Sequence, residues 1–575
     1  MKRVVVFLLL LSSAACGSGA EVDFARSLAV KAPADMVLRG GKIVTADRDF
    51  SIRQAVAIKD GRFMAVGSER DMRPLIGPGT RVIELAGRTV IPGLIDSHIH
   101  ATVAGVSWDA ELHWEFTRSL ADGLKQIGAA AKARPPGSWI VVGGGWVPTQ
   151  FAERRFPSRA ELDALAPGHP VYVQYLREGA LLNSAGLAAL GITRTTPDPA
   201  GGKFERSPVT GELTGWLQGV SAWRFVYEKI PQLTLDRARQ SLRHCFRELN
   251  RLGVTAISDL HTDGVNFAHR RLLADMAKSE ELSLRINFFV AANEADDEIE
   301  QLKRAAQEIK NLRQNDYFRF GGFTTSVMDR YGSTDAKKTV LDAAGRDKFR
   351  RLAHFFAEGG YPFHLQATRD ETARQLLDVI EEIDSLKPLV RRRIVFAGLE
   401  DATPETIGRI GNLGGSMVVQ SRPALTGERR VELWGLDRAR NAPPLRTMTE
   451  SGITLGAGSD GFRAGNYSPM LTLWWLITGR TVAGSALRNR EQSLTREEAL
   501  RVHTQGGAWL TLEEGRKGSI EVGKYADLAV LNGDYLTVPE DRIRALESLL
   551  TLVGGRVVYA AGPFAALEGN RGGRR

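Results

Sequence analysis

The stretch VIPGLIDSHIH, residues 90–100, decides the fold prediction, because it reads as an apolar strand that closes on two histidines. Side chains two residues apart on a strand point to the same side. His98 and His100 are therefore expected to project together from the strand end. Paired imidazole nitrogens suit zinc or a similar divalent metal. We predict a metal site here, with two purely structural histidines as the alternative.

Outward from this stretch, apolar strands alternate with helical segments. This alternation predicts a parallel sheet, and eight strands predict a closed α/β barrel of the TIM-like (β/α)8 type. Barrel enzymes hold their sites at the C-terminal ends of the strands, so both histidines should face the barrel mouth. The eight candidate strands are 90–96, 253–260, 283–290, 317–323, 361–366, 392–397, 415–420 and 453–457.

The long interval between the first two strands departs from a regular barrel. It holds further apolar stretches and a Gly/Pro-rich segment, TPDPAGGKF. We interpret about 101–250 as an insertion over the mouth of a barrel that spans 91–514.

Both chain ends are rich in short strands. Residues 35–90 carry the hairpin dipeptides Gly40-Gly41 and Asp60-Gly61, and a similar pattern returns at 515–565. One small β-sandwich assembled from both ends is the economical prediction. Two unrelated β caps are the alternative.

Composition excludes some functions. The chain has 575 residues, with 43% hydrophobic and 25% charged residues, as in ordinary globular proteins. The net charge of +9 is small for this length, and no dense basic stripe is present, so nucleic acid is not an expected partner.

The N-terminus predicts export. Lys2 and Arg3 precede an apolar run at 4–11, and small residues lead to Cys16, as in a signal peptide over 1–16. Cys16 lies where a bacterial lipobox would place a lipidated cysteine, with plain signal cleavage as the alternative. We expect a cell-envelope or periplasmic protein whose membrane contact is at most an N-terminal lipid anchor.

Five motifs resemble one known family. They are VIPGLIDSHIH; LLNSAGLAALGI followed by PDPAGGKFERSPVTGELTG; GVTAISDLH; ITLGAGSD; and GSIEVGKYADLAVL. Together they resemble the amidohydrolase superfamily, in the amidohydrolase family 3 branch that contains relatives of N-substituted formamide deformylase. The resemblance implies a metal-dependent hydrolase acting on carbon–nitrogen bonds other than peptide bonds, with a small-molecule substrate. A homodimer is an expectation of the same kind.

The resemblance also implies further ligands. His364, in YPFHLQA, fits the strand-five histidine, and Asp460, in LGAGSD, fits the strand-eight aspartate. With His98 and His100 they make a one-metal set, for which zinc is the expected ion. A carboxylate beside a metal-bound water can serve as general base, the role predicted for Asp460. The alternatives are a core histidine for His364 and a helix-capping or turn residue for Asp460.

Several positions depart from the family pattern. Phe396 stands where relatives carry a strand-six histidine, and only Arg319 lies near the place of a strand-four lysine. Glu178 occupies the place of an insertion histidine, and Ala367-Thr368-Arg369-Asp370 replaces a Gly-Asp pair after strand five. These changes support a second hypothesis, a barrel that has lost catalysis and binds a ligand or partner in the cell envelope.

Three further residues are candidates for substrate binding. Glu178 lies in the insertion, Trp146 in GGGWVPTQF, and His261 directly after the predicted second strand. The alternatives are an exposed loop carboxylate for Glu178, a core aromatic for Trp146 and a residue outside the site for His261.

Overall fold

The computed structural model describes residues 32–261, 267–292, 298–326, 340–389 and 393–568. The predicted signal peptide, 1–16, and its Cys16 lie outside these residues. Within them, no helix is both long enough and apolar enough to cross a membrane.

The middle of the chain forms an eight-stranded parallel barrel. Its strands follow one another around the sheet in chain order, from β1 to β8. The backbone N–H of Asp460, just after β8, donates to the carbonyl of His98 in β1 at 2.9 Å and joins the two ends of the sheet. The predicted (β/α)8 fold class is confirmed. The strands are β1 (Leu94–Ile99), β2 (Val254–His261), β3 (Arg285–Val290), β4 (Phe318–Ser326), β5 (Phe363–Gln366), β6 (Ile394–Ala397), β7 (Ser416–Gln420) and β8 (Thr454–Gly458).

The segments between these strands form helices, because the apolar residues of each segment recur at helical spacing and lie on one face. In Leu235–Arg251, for instance, Leu242, Cys245, Phe246 and Leu249 are buried at helical spacing. The helices that follow in the barrel are Phe267–Lys278, Glu298–Asn311, Ala343–Gly359, Asp370–Leu386, Pro404–Asn412, Pro423–Trp434, Leu436–Arg440, Leu445–Glu450, Pro469–Thr478, Arg496–Arg501 and Gly507–Leu510.

The first predicted strand, 90–96, was wrong in its bounds. The stretch divides at Gly93: Thr89–Pro92 belongs to another sheet, and β1 begins at Leu94. A Cβ on Gly93 would lie 2.1 Å from Thr255 Oγ1, so only glycine fits where the chain passes from one sheet to the other. The consequence is that His98 lies inside β1 and His100 directly after it.

The inserted segment has its own sheet and core. Its six strands pair in the spatial order Lys203–Arg206, Leu213–Gln218, Gly179–Leu182, Val171–Tyr175, Ile140–Val142 and Glu111–Leu112. Its helices, after the short Ala101–Gly105, are Leu120–Ala133, Arg159–Leu165, Ser184–Ala189 and Val220–Tyr227.

The two chain ends contribute strands to one sheet. Thr89–Pro92 pairs with Lys42–Val44 on one side and with Leu528–Leu531 on the other. That six-stranded sheet is completed by Ile52–Arg53, Ser548–Val553 and Arg556–Ala560, and a four-stranded sheet is formed by Met36–Arg39, Ala55–Lys59, Arg62–Gly67 and Arg81–Glu84. Apolar side chains from both sheets form one buried cluster, which explains why the ends fold together.

Candidate metal centre

Three side chains converge at the C-terminal ends of β1 and β8. His98 Nε2 lies 3.5 Å and His100 Nε2 lies 3.2 Å from the same oxygen, Asp460 Oδ1. Each residue offers one ligand atom, and these atoms all lie within 4.8 Å of one another. Two imidazole nitrogens and a carboxylate oxygen at such spacing match the donors that zinc takes in hydrolytic sites.

The backbone fixes which nitrogen of His100 faces the centre. His100 Nδ1 donates to the carbonyl of Leu260, at the end of β2, over 2.6 Å. A carbonyl only accepts, so Nδ1 carries the proton and Nε2 is the atom left for a metal. Histidine ligands in metal sites are commonly oriented by such a second hydrogen bond.

Asp96 hydrogen-bonds to the backbone next to the converging side chains. Its carboxylate accepts from the backbone N–H of His98 at 3.1 Å and from that of Ser459 at 3.1 Å. It therefore joins the strand of the histidines to the residue before Asp460. The signal in the sequence was the aspartate two positions before His98, on the same side of β1. Burial raises the pKa of Asp96 to about 7.

The pKa values of the three converging side chains are shifted in different directions. Burial lowers the pKa of His98 to about 3, which favours the neutral form that binds metals. Burial also disfavours charge on His100, but the hydrogen bond with Asp460 and the carboxylate charge outweigh it and raise the pKa of His100. Burial opposes ionisation of Asp460 as well, yet His100 and His98 hold the pKa of Asp460 at about 2. Asp460 is therefore ionised at neutral pH.

His364, on β5, lies beside this group. Its ring centroid is 5.2 Å from that of His98, and its Nε2 is buried with no hydrogen-bond partner among the described residues. Burial lowers the pKa of His364 well below its usual value, so the ring is neutral. It does not belong to the three residues whose ligand atoms converge, and its role as fourth ligand stays a prediction.

The donor set fits a divalent metal. The nitrogens of His98 and His100 and the ionised oxygen of Asp460 face one point, while His364 brings an unpartnered buried nitrogen next to them. A buried polar atom without a partner is costly, and a bound metal with its ligands would remove part of that cost.

Glu178 lies in the turn between two strands of the insertion, near the end of β7. Its carboxylate pairs with Arg429 and lies 3.7 Å from Arg422 Nη2. It is held by arginines and is not among the converging ligands. A contact of Glu178 with substrate stays a prediction.

Trp146 and His261 are placed differently. Trp146 is fully buried in the core of the insertion, with its ring stacked on Phe151 at 5.4 Å between centroids. Its indole nitrogen is buried with no hydrogen-bond partner among the described residues, and its predicted substrate contact stays a prediction. His261 ends β2, but its side chain lies outside the described residues, and its predicted substrate contact stays a prediction.

The departures from the family pattern have structural counterparts. Phe396 is fully buried in the apolar core, and Arg319, near the start of β4, pairs with Glu513 at 2.8 Å. Neither replaces a ligand. Above β6, Gln366 and Gln420 hydrogen-bond each other at 3.2 Å. A Cβ on the intervening Gly398, the residue after β6 that adopts φ +71°, would lie 2.5 Å from Gln366 Nε2. This glutamine pair was not predicted.

A buried arginine ties the insertion to the loop after β8. Arg463, three positions after Asp460, donates to Glu111 Oε1 and to the Tyr227 hydroxyl, both at 2.6 Å, and to Gln174 Oε1 at 2.8 Å. We call Arg463, Glu111, Gln174 and Tyr227 the Arg463 cluster. All its acceptors come from the insertion, far from Arg463 in sequence, so no local sequence pattern indicates the cluster.

Comparison with known proteins gives the class. The sequence model of the Amidohydrolase family matches residues 81–559. The chain belongs to the amidohydrolase family, as its motifs and its barrel with a histidine pair after β1 had indicated. It is 26% identical to N-substituted formamide deformylase of Arthrobacter pascens, over 91% of this chain and 98% of that protein. It is equally 26% identical to the putative amidohydrolase YtcJ of Bacillus subtilis, over 91% of this chain and 99% of that protein.

Solved structures share the fold. An uncharacterized metal-dependent hydrolase from Pyrococcus horikoshii aligns with a TM-score of 0.64 and 19% identity, over 88% of this chain and 99% of that one. An adenosine deaminase from Xanthomonas campestris with bound zinc aligns with a TM-score of 0.53 and 15% identity, over 93% and 96% of the two chains. These similarities confirm the architecture.

A buried carboxyl near the Arg463 cluster predicts a pH dependence of stability. Burial raises the pKa of Glu115 from 4.5 to about 8, and the charges of Glu111 and Glu248 act in the same direction. The folded state therefore holds a proton that the unfolded state releases. The stability that this proton contributes is fully present below pH 4.5 and is lost as the pH rises to about 8.

In urea unfolding, Glu115→Gln should keep that contribution, so its urea midpoint should fall less steeply between pH 6 and 8. The exposed Glu300→Gln is the control, and equal slopes in all three proteins would contradict the prediction.

Proposed function

We propose that this chain is a metal-dependent hydrolase of carbon–nitrogen bonds other than peptide bonds, acting on an amide or N-acyl compound. The observation that carries the proposal is the convergence of His98, His100 and Asp460 at the barrel mouth. The relationship to a protein named N-substituted formamide deformylase supports the choice of bond.

The chain supplies the proton transfer and the orientation. A divalent metal, for which zinc is our choice and one ion per chain our expectation, would polarise the substrate carbonyl and acidify the attacking water when bound. Asp460 is ionised and buried, so it can accept the proton of that water and return it to the leaving nitrogen. Leu260 holds His100 in one orientation, and Asp96 holds the backbones of His98 and Ser459.

The competing function is a barrel without catalysis that binds a ligand. The buried Phe396 favours it, because a strand-six ligand is absent. The site around Asp460 opposes it, because a carboxylate and two imidazoles lie in one small volume, with the His100 ring held by the Leu260 carbonyl and the backbone of His98 held by Asp96. A binding protein needs a cavity but no ionised buried carboxylate beside histidines.

Metal removal and return tests the proposal. The protein purified after export is dialysed against a chelator, then assayed against N-alkyl formamides and N-acyl amines with an amine-reactive dye. We expect chelation to lower the rate by about 100-fold or more, since a metal commonly supplies several kcal/mol of transition-state stabilisation. Zinc should restore the rate. Absence of amine release from every substrate with zinc, manganese or iron present would contradict the enzyme and favour the binding protein.

We also propose export to the cell envelope, with a lipid on Cys16. The support is the charged start, the apolar run and the small residues of the N-terminal sequence. Metabolic labelling with a fatty acid should mark the protein and not Cys16→Ala. Labelling of neither, with both forms released into the periplasm, would show plain signal cleavage instead.

A further inference from the structure

A small cavity lies apart from the metal centre, between the helices that follow β7 and β8. Its walls come from Pro423–Trp434, Leu436–Arg440, Pro469–Thr478 and the segment that leads to Arg488. Two arginines, Arg430 and Arg488, line it together with Pro423, Gly427, Ala439 and Trp475. It has room for a particle of about water size.

Arg488 is a buried cation without an acidic partner. Its residue is 5% exposed, and among the described residues no carboxylate pairs with it. Burial lowers the pKa of Arg488 to about 9, and it remains charged at neutral pH. Burying a charge without an opposite charge costs free energy, so a negative charge beside Arg488 would stabilise the folded protein.

Only one nitrogen of the Arg488 guanidinium donates to the end of a helix. Arg488 Nη2 donates to the carbonyls of Trp475 and Leu476, at 2.6 and 2.7 Å, in the last turn of Pro469–Thr478. Cations are favourable at that end of a helix. Arg488 Nε and Nη1, however, are buried and have no partner within the part of the chain that the structure describes.

Arg430 brings a second donor to the same cavity. Its Nη2 pairs with Glu400 Oε1 at 2.6 Å, whereas its Nη1 is buried without a partner among the described residues. The cavity thus has two cationic side chains in its wall and unused N–H groups on both. One carboxylate, Glu400, balances one of the two charges.

We propose that this cavity is a binding site for a small monovalent anion of chloride size, held between Arg488 and Arg430. A water molecule would accept from the N–H groups but would add no negative charge beside Arg488, whose guanidinium otherwise meets two helix-end carbonyls and the Trp475 ring at 4.8 Å. A small anion does both. Sulfate and phosphate are too large for a space of this size. The anion would stabilise the packing of the helices after β7 and β8, outside the catalytic centre.

Anomalous diffraction and unfolding together test the site on the full chain with its metal bound. Crystals grown in gluconate and soaked in bromide should show an anomalous peak in the cavity. In solution, at constant ionic strength, the thermal midpoint should rise saturably by about 1–3 °C as chloride or bromide replaces gluconate, because the anion binds only the folded state. Sulfate should give no saturable rise.

Two variants make the result specific. Arg488→Met should remove both the anomalous peak and the chloride dependence, and Arg430→Gln is a second variant with the same expectation. Arg490→Met is the matched control, because that side chain is 70% exposed and lies two positions away. No anomalous peak and no saturable chloride effect on the unmodified protein would overturn the proposal and leave water as the occupant. Equal effects of chloride on the unmodified protein and Arg488→Met would overturn it as well.

Discussion

Asp460→Asn is expected to lower kcat by about 1,000-fold while the protein stays folded, since a positioned general base contributes about 100- to 10,000-fold. Asparagine has nearly the same shape but accepts no proton. Asp460 sits at the point where His98 and His100 converge, and the pKa of its carboxyl is held at about 2. The substitution removes an ionised group from the reacting water without opening a cavity.

The measurement is the steady-state rate with a substrate found in the chelation assay, at saturating zinc. Asp378→Asn is the matched control, because that carboxylate is 58% exposed and pairs with Arg409 at the surface. It should retain nearly the full rate. A rate within about tenfold of the unmodified enzyme in Asp460→Asn would remove Asp460 from the role of base, given the usual size of such contributions.

Arg463→Met is expected to cost about 3–5 kcal/mol of stability, the usual result of removing one partner from a buried ion pair. Glu111 would stay buried opposite an apolar side chain, and the Tyr227 hydroxyl and Gln174 would each lose a donor. Because Arg463 lies on the loop of Asp460, kcat should fall along with the urea midpoint.

A paired variant separates charge burial from packing. Arg463→Met combined with Glu111→Leu removes both charges, so it should regain part of the lost stability, because a buried pair can be replaced by apolar residues at little cost. The catalytic defect should persist in the double variant if the cluster positions the loop. A loss of less than about 1 kcal/mol in the single variant would show that the cluster contributes little, since a buried unpaired charge costs more than that.

The sequence was most informative where a local pattern carries the structure. Strands β2 to β8 appear close to their predicted positions because a barrel strand is a short apolar run between helices of 3.6-residue periodicity. The bounds of β1 were wrong because the apolar run continues across Gly93 while the sheet changes. The hydrophobic pattern of a strand does not show which other strand it pairs with.

Site residues that lie close together in the sequence were easier to predict than those that lie far apart. His98 and His100 lie two residues apart, and their spacing alone indicates a shared direction. Asp460 needed the family resemblance, because it is 360 residues away from His100. The Arg463 cluster and the Gln366–Gln420 pair were missed, since each joins residues distant in sequence through contacts that exist only after folding.

The most direct test of the central claim is the metal content of the purified, unchelated protein, determined by elemental analysis after zinc addition and removal of the excess. A site built on His98, His100 and Asp460 should hold about one metal per chain in the unmodified protein. His98→Ala combined with His100→Ala should retain essentially none. His244→Ala, a change at a half-exposed histidine paired with Asp109, should bind as the unmodified protein does. An unmodified protein without metal would contradict a metal centre on His98 and His100, as would a double variant that keeps its metal.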